Sequence, residues 1–225
     1  MRYDYIPEVT GNLRKSDLKV PEVIRKCTGI RIFGKRIKSF IFTTDVAIIK
    51  NTNADAVLAV YPFTPQPTIT QAILSVSDIP VVCGVGGGLT HGIRSANIAL
   101  HAEFQGAIGV ILNSPAPNET IEHVKNHIDI PVIATVATAR ADIKGKIAAG
   151  ADILSVSGGK ETVDIIKEIR ASYPDIPIIA TGGSTNESIE ATIAAGANSI
   201  IYTPPSISVL FREKMSNYRE EELSE

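Results

Sequence analysis

The sequence has little excess charge of either sign: 22 Lys and Arg face 24 Asp and Glu, for a formal net charge of −2 and a pI near 6.1. Without a basic surplus nothing neutralises a phosphate polymer, so nucleic acid is not an expected partner. Long apolar runs are missing too. The uncharged stretches 79–93 and 104–118 are interrupted by Gly, Pro, Asn or His. They fall short of the roughly 20 apolar residues that a bilayer span requires, and a membrane partner is not expected. Only two cysteines are present, Cys27 and Cys83, too few for a disulfide framework. The opening residues, MRYDYIPEV, lack the charged and then apolar regions of a secretory signal, and a cytoplasmic location is the resulting expectation. What the chain does have is apolar residues in quantity, 44% with a mean hydropathy of +0.14, enough for a sizeable core.

The organisation is a repeat. DIP occurs at Asp78, Asp129 and Asp175, and DIPVIAT and DIPIIAT are each followed by a polar turn, an amphipathic stretch and AAGA, with every matched position 46 apart. After each AAGA comes a second short run rich in β-branched residues, ILSVS or SIIYT. One repeat therefore reads strand, helix, strand, helix. Extended backwards, the same ruler predicts eight strands at 39–43, 56–60, 80–84, 109–113, 131–135, 153–157, 177–181 and 199–203. Helical patterns fall near 45–51, 68–76, 93–105, 118–126, 140–148, 162–172, 186–195 and 207–218. Strands apolar on both faces and alternating with helices argue for a parallel sheet. Eight such units predict a closed (β/α)8 TIM barrel, over 39–218. An open doubly wound sheet is the rival, and no dinucleotide fingerprint follows the first strand to support it. Residues 1–38 form an extension expected to cover the barrel floor, with VPEVIRKCTG as a short helix. The acidic tail 219–225 is expected to fray.

In such a barrel the loops that follow strands carry the chemistry, and those that enter strands serve stability. His123 and His127, four apart on one helix, could imitate a metal pair but precede a strand and face the wrong end. Lys50 is excluded by the same argument, and His101 and Glu103 fall late in their helix as packing or surface residues. The working face receives Asp45 after the first strand, Tyr61, Phe63 and Thr64 after the second, and Asn113 after the fourth. Small hydrogen-bonding side chains, Asn113, Thr135, Ser157, Thr181 and Thr203, recur at equivalent repeat positions and ring the mouth, which suits an oxygen-rich ligand.

The strongest chemical signal is ATGGSTNESI, followed twenty residues later by IIYTPPSIS. A Gly-Gly turn lets backbone N–H groups approach an anion, and Ser184 or Thr185 then opens a helix whose positive end faces the same point. Residues 131–206 resemble the phosphate-binding half of the ribulose-phosphate-binding and aldolase-type barrels. That resemblance implies phosphate binding by Gly182, Gly183 and Ser184; Thr203 and Ser206 are added as candidates because the eighth strand delivers a second helix start to the same point. The sequence departs from the family at Thr203-Pro204-Pro205, where many relatives carry Gly-Ser or Gly-Thr and two prolines remove two backbone donors.

A second signal is the loop GVGGGLTHG. Pro80 to Gly106 spans 26 positions against 19 in the later repeats, so this unit carries seven extra residues on the working side. Its three glycines suggest flexibility, and it brings His91 to the mouth as the leading acid/base candidate, with Arg94 a turn later. None of the eight strand segments contains the lysine of a Schiff-base aldolase, and Lys160 lies three residues beyond Ser157. Asp45, His91 and Glu119 are a thin donor set for a metal. The first reading is an enzyme acting on a small phosphorylated, sugar-like metabolite by metal-free acid/base chemistry of the isomerase or lyase type. His91 and Asp45 form its acid/base pair, and Asn113 and Lys160 orient or polarise a carbonyl. No cofactor is required. An FMN-binding oxidoreductase, a non-catalytic phosphometabolite-binding protein and a phosphoester hydrolase are the alternatives, and homo-oligomerisation is left open.

Overall fold

Short β-branched runs bounded by Gly, Pro or Asn become the strands, and the amphipathic segments between them become the helices. The computed structural model describes residues 18–224 together with Pro7, Val9 and Gly11; the rest of the N-terminal extension and Glu225 lie outside the described residues. A two-stranded antiparallel hairpin comes first, β1 (Ile30–Ile32) and β2 (Lys35–Ile37). Eight parallel strands follow: β3 (Ser39–Phe42), β4 (Ala56–Ala59), β5 (Val81–Gly86), β6 (Gly109–Leu112), β7 (Val132–Val136), β8 (Ile153–Val156), β9 (Ile178–Thr181) and β10 (Ser199–Tyr202). They close into a ring in which β10 pairs with β3. The helices are α1 (Val46–Lys50), α2 (Pro67–Val76), α3 (Gly92–Phe104), α4 (Asn118–Lys125), α5 (Ile143–Ala148), α6 (Thr162–Ser172), α7 (Asn186–Ala194) and α8 (Ile207–Ser224). This is the (β/α)8 barrel the repeat predicts.

Two layers of core explain why the strands are apolar on both faces. One apolar cluster lies between strands and helices. A separate cluster fills the barrel interior, built from Phe40, Leu58, Val82, Ile111, Ile133 and Ile179 with their neighbours. Ile30, Ile32 and Ile37 of the hairpin belong to this interior cluster, so the hairpin inserts its apolar face into the barrel beneath β3. Residues 22–26 form a single 3-10 turn, tied to α7 by an ion pair between Lys26 and Glu190. The short helix expected in VPEVIRKCTG is present as this 3-10 segment, and the plug itself is the hairpin that follows it, which the sequence reading does not foresee. At the other end of the chain α8 runs on through Glu220, Glu221 and Glu222 to Ser224, where fraying is expected.

The floor is locked by a device that repeats with the sequence. Asp152 Oδ2 accepts a hydrogen bond from Val132 N–H at 2.8 Å, and Asn198 Oδ1, 46 positions later, accepts one from Ile178 N–H at 2.9 Å. Asp55 Oδ2 does the same for Ser39 N–H at 3.0 Å. Each acceptor also binds a basic side chain: Lys125 on Asp152, Arg170 on Asn198 and Arg25 on Asp55. The Gly-Ala-Asp (150–152), Gly-Ala-Asn (196–198) and Asn-Ala-Asp (53–55) segments therefore satisfy strand-entry amides that lack a ladder partner, at the end of the barrel remote from its mouth. Among the described residues no helix is long and apolar enough to cross a membrane.

Candidate functional site

Side chains two apart on a strand share a face, so the interior isoleucines project their polar successors toward the mouth. Ile111 is followed on that face by Asn113, Ile133 by Thr135, Ile153 by Ser155, Ile179 by Thr181 and Ile201 by Thr203. The apolar interior thus ends in a polar ring. Thr135 Oγ1 is buried and has no hydrogen-bond partner among the described residues. Buried hydroxyls are nearly always paired, and an orphan at the top of the barrel marks a place for a polar ligand or a water.

Two cavities open at this mouth and share Val60, Tyr61, Pro62 and Asn113. The larger, about 700 Å³, has Thr43, Thr44, Asp45, Thr203 and Ser206 on its walls. The smaller, about 330 Å³, lies between the loop after β4 and the loop after β5 and is walled by Phe63, Leu89 and the bare backbone of Gly84, Gly86 and Gly87. These volumes suit a small metabolite.

Asp45 caps α1. Its Oδ1 accepts from Ala47 N–H at 2.8 Å and Ile48 N–H at 3.3 Å, while its own N–H donates to Thr43 Oγ1 at 3.0 Å. One carboxylate oxygen is committed, and among the described residues no hydrogen bond engages the other. Asn113 is held through its backbone, whose N–H donates to Gly86 O at 2.9 Å, and no hydrogen bond engages its side-chain amide among the described residues. Tyr61 Oη accepts from Gln66 N–H at 2.7 Å, which anchors the ring against the Pro-rich loop and leaves its proton to donate. Tyr61 belongs to both cavities and escapes the sequence reading as a site residue, although its place after the second strand was the signal that could have found it.

His91 and Lys160 are exposed and line neither cavity. His91 is the N-cap of α3 but makes no side-chain cap bond, and Lys160 sits in the 3-10 turn 159–161 after β8. The structure does not bring either of them into a cavity with Asp45. The loop that carries His91 is also less free than its glycines suggest. Gly87 and Thr90 exchange backbone hydrogen bonds at 3.0 and 3.2 Å, and Gly88 N–H donates to Pro115 O at 3.0 Å. The glycines are demanded by contact: a Cβ on Gly86 would collide with Ser95 Oγ, and one on Gly87 with Asn113 O.

At the rim after β9, no hydrogen bond is made by the amides of Gly182, Gly183 or Ser184 among the described residues. Gly182 is buried, and a Cβ there would meet Ile189 at 2.8 Å and Ile200 at 2.9 Å; Gly183 adopts φ +80°, which favours glycine. Three successive donors, on a turn built by two glycines, therefore make no hydrogen bond among the described residues; like His91 and Lys160, Gly182, Gly183 and Ser184 line neither mouth cavity. The start of α7 is otherwise occupied. Thr185 and Ser188 close a capping box, and Glu187 places its carboxylate at the same helix end, held below its usual pKa by its own backbone N–H and the Thr185 hydroxyl. On the β10 side Ser206 Oγ pairs with Ser208 Oγ at 2.9 Å, and Thr203 and Ser206 face the larger cavity.

Lys146, absent from the sequence reading, is a buried cation on α5. Its Nζ lies 3.4 Å from Ala116 O, and burial lowers its pKa against the opposing pull of Asp142. It braces the loop after β6 and lines neither mouth cavity.

No protein-family model matches the sequence, and no curated protein matches it. Solved structures do. A phosphonopyruvate hydrolase in complex with oxalate and Mg²⁺ is similar at 15% identity and TM-score 0.62, over 85% of this chain and 85% of that one. A 2,3-dimethylmalate lyase, described as a member of the PEP mutase/isocitrate lyase superfamily, is similar at 14% identity and TM-score 0.59, over 81% of each chain. A mandelate oxidase is similar at 16% identity and TM-score 0.61, over 79% of this chain and 68% of that one. The likeness is one of fold. The barrel resembles both the PEP mutase/isocitrate lyase superfamily and mandelate oxidase. Among the described residues no three His, Cys, Asp or Glu converge, and Asp45 is the single carboxylate on the walls of the two cavities.

Proposed function

We propose that this barrel is an enzyme that binds a small phosphorylated metabolite at its mouth and carries out metal-free acid/base chemistry of the isomerase or lyase type. The observation that carries the reading is the row of three free amides, Gly182, Gly183 and Ser184, at the carboxyl rim of a closed barrel. Convergent N–H groups on a glycine turn are suited to phosphate oxygens. Each charge-assisted bond contributes about 1.5–3 kcal/mol.

In this mechanism the phosphoryl group sits on the turn after β9, with Thr203 and Ser206 beside it, and the carbon skeleton enters the larger cavity. The free carboxylate oxygen of Asp45 takes a proton from a carbon next to a carbonyl. The Asn113 amide and the Tyr61 hydroxyl donate to the carbonyl oxygen as negative charge develops there. Return of the proton to a neighbouring carbon completes an isomerisation; departure of a group from that carbon completes an elimination. His91 and Lys160 line neither cavity, and no step is assigned to them.

The test is native mass spectrometry of the freshly purified protein together with phosphate titration followed by amide NMR. A co-purifying phosphorylated ligand, and shifts centred on Gly182 to Ser184, support the reading. Absence of both overturns it. Asp45→Asn keeps the α1 cap, because Asn and Asp cap equally well, yet removes the base, so turnover of the co-purifying ligand is lost while stability is retained.

FMN is the second reading, favoured by the same free amides, which would hold its phosphate. When bound, FMN supplies a hydride acceptor. A yellow purified protein selects it.

A further inference from the structure

The loop after β10 departs from the phosphate-binding pattern at Pro204 and Pro205, and the larger cavity shows what the two prolines build. With Phe42, Val60, Pro62 and Ile207 they form its apolar wall. No Lys, Arg or His lines this cavity, and its single charge is the Asp45 carboxylate, which disfavours an anion inside. An anionic ligand therefore keeps its charge outside and places its uncharged part within. Much of the polar lining is already engaged. Thr43 Oγ1 accepts from Asp45 N–H, Ser206 Oγ pairs with Ser208 Oγ, and Tyr61 Oη accepts from Gln66 N–H. A second apolar groove, of about 230 Å³, adjoins the wall between α1 and α8. Ile48 and Ile207 line both spaces, and the groove continues along Leu210 and Phe211. Its polar lining is Asn51, whose amide donates to Ala47 O at 2.8 Å, and Lys214. Ile207 is 47% exposed and Phe211 68% exposed, four residues apart on one face of α8. Their turn is held in place: Ser206 O accepts from Val209 N–H and Leu210 N–H, and Leu210 packs on the core.

Resting on the reading of the mouth as the site of a phosphorylated substrate, we infer that the carbon skeleton of that substrate ends in an unbranched aliphatic chain, which leaves the reacting centre along Pro204, Pro205 and Ile207 and runs into the groove beside Phe211. The phosphoryl rim and this wall are neighbours, because β9 pairs with β10 and paired strands lie about 4.8 Å apart. A polyol on the same path would lose water against a wall that returns few hydrogen bonds, since proline has no N–H to donate. A hydrocarbon loses nothing polar there and covers the exposed faces of Ile207 and Phe211. Two adjoining spaces suit a chain that passes from one to the next. The two prolines thus change which substrate fits, and Ile207 and Phe211 are specificity-determining residues.

The experiment titrates ethyl, butyl and hexyl phosphate, glycerol phosphate and uncharged hexanol into the full chain and into Ile207→Ala and Phe211→Ala, by calorimetry and by side-chain NMR of Ile207 and Phe211. Both substitutions are at exposed positions outside the proposed catalytic groups, and an unchanged melting temperature confirms that the fold is kept. The expected result is an affinity that rises about two- to fourfold with each added methylene, glycerol phosphate binding more weakly than butyl phosphate, and a shallower rise in both variants. Equal binding of the alkyl phosphates, or glycerol phosphate matching butyl phosphate, overturns the inference and leaves the phosphate reading standing. A rise that persists unchanged in both variants overturns it too. Hexanol shifting Ile207 and Phe211 while no phosphate binds keeps the chain site and overturns the phosphate reading. No binding by any probe overturns both.

Discussion

Ser39 and Asp55 exchange hydrogen bonds across the floor of the barrel. Ser39 N–H and Oγ–H both donate to Asp55 Oδ2, at 3.0 and 2.9 Å, and Asp55 N–H donates back to Ser39 Oγ at 2.9 Å. Arg25 adds a bond to Asp55 Oδ1 at 2.8 Å. The pair fixes the start of β3 against the entry to β4, at the seam where β10 closes on β3.

This geometry predicts an acid-sensitive seam. Burial alone raises the pKa of Asp55, but bonds from Lys38 N–H, Arg25 and Ser39 outweigh it and hold the carboxyl below its usual range. A depressed native pKa means that the contribution is fully present above the unfolded value of about 3.9 and is lost as pH falls through the native value. Asp55→Ala is expected to cost about 2–4 kcal/mol at neutral pH. In urea denaturation the gap between wild type and variant should narrow as pH drops below 4 or so; a gap independent of pH would refute the role.

The hairpin is a structural plug. Ile37 is 1% exposed and packs with the barrel interior, so Ile37→Ala should lower unfolding free energy by about 2–5 kcal/mol. A loss below about 0.5 kcal/mol in chemical denaturation would show that the hairpin is an appendage.

Neither cysteine should behave as a reactive thiol. Burial pushes Cys27 up to about 11 and Cys83 up to about 12, and only the thiolate reacts. A disulfide reagent at mildly alkaline pH is expected to label neither in the native protein and both in denaturant. Rapid labelling of the native chain contradicts the burial of both sites.

Glu187 competes with any anion at the start of α7, where its carboxylate is held ionised. Glu187→Gln should therefore tighten phosphate binding by a few-fold, read by calorimetry, with no change at the larger cavity. Weaker binding in that variant would mean that the anion site lies elsewhere.

Much of this architecture is legible in the one-dimensional pattern. Parallel strands covered on both sides must be apolar throughout, so runs such as 109–112 and 153–156 declare themselves, and the 46-residue register of Asp152 and Asn198 marks equivalent floor positions before any coordinates exist. Ile30–Ile32 and Lys35–Ile37 escape because three-residue strands with exposed Arg31, Lys35 and Arg36 carry too short and too polar a signal. The end of α8 escapes for the opposite reason: a helix that is polar all round has no apolar stripe to announce it.

The sequence by itself determined the barrel, its repeat, and which strand ends face the mouth, because those follow from side-chain periodicity and from chain order around a closed ring. Only the tertiary structure decided which of the mouth residues are available. Whether the glycines of 86–88 form a slack loop or a locked turn depends on Pro115, a residue on another strand-to-helix loop. Whether Asp45 or His91 reaches a cavity depends on how two distant loops fold over the rim. Hydrogen bonds and packing between segments far apart in sequence make those choices, and no local pattern encodes them.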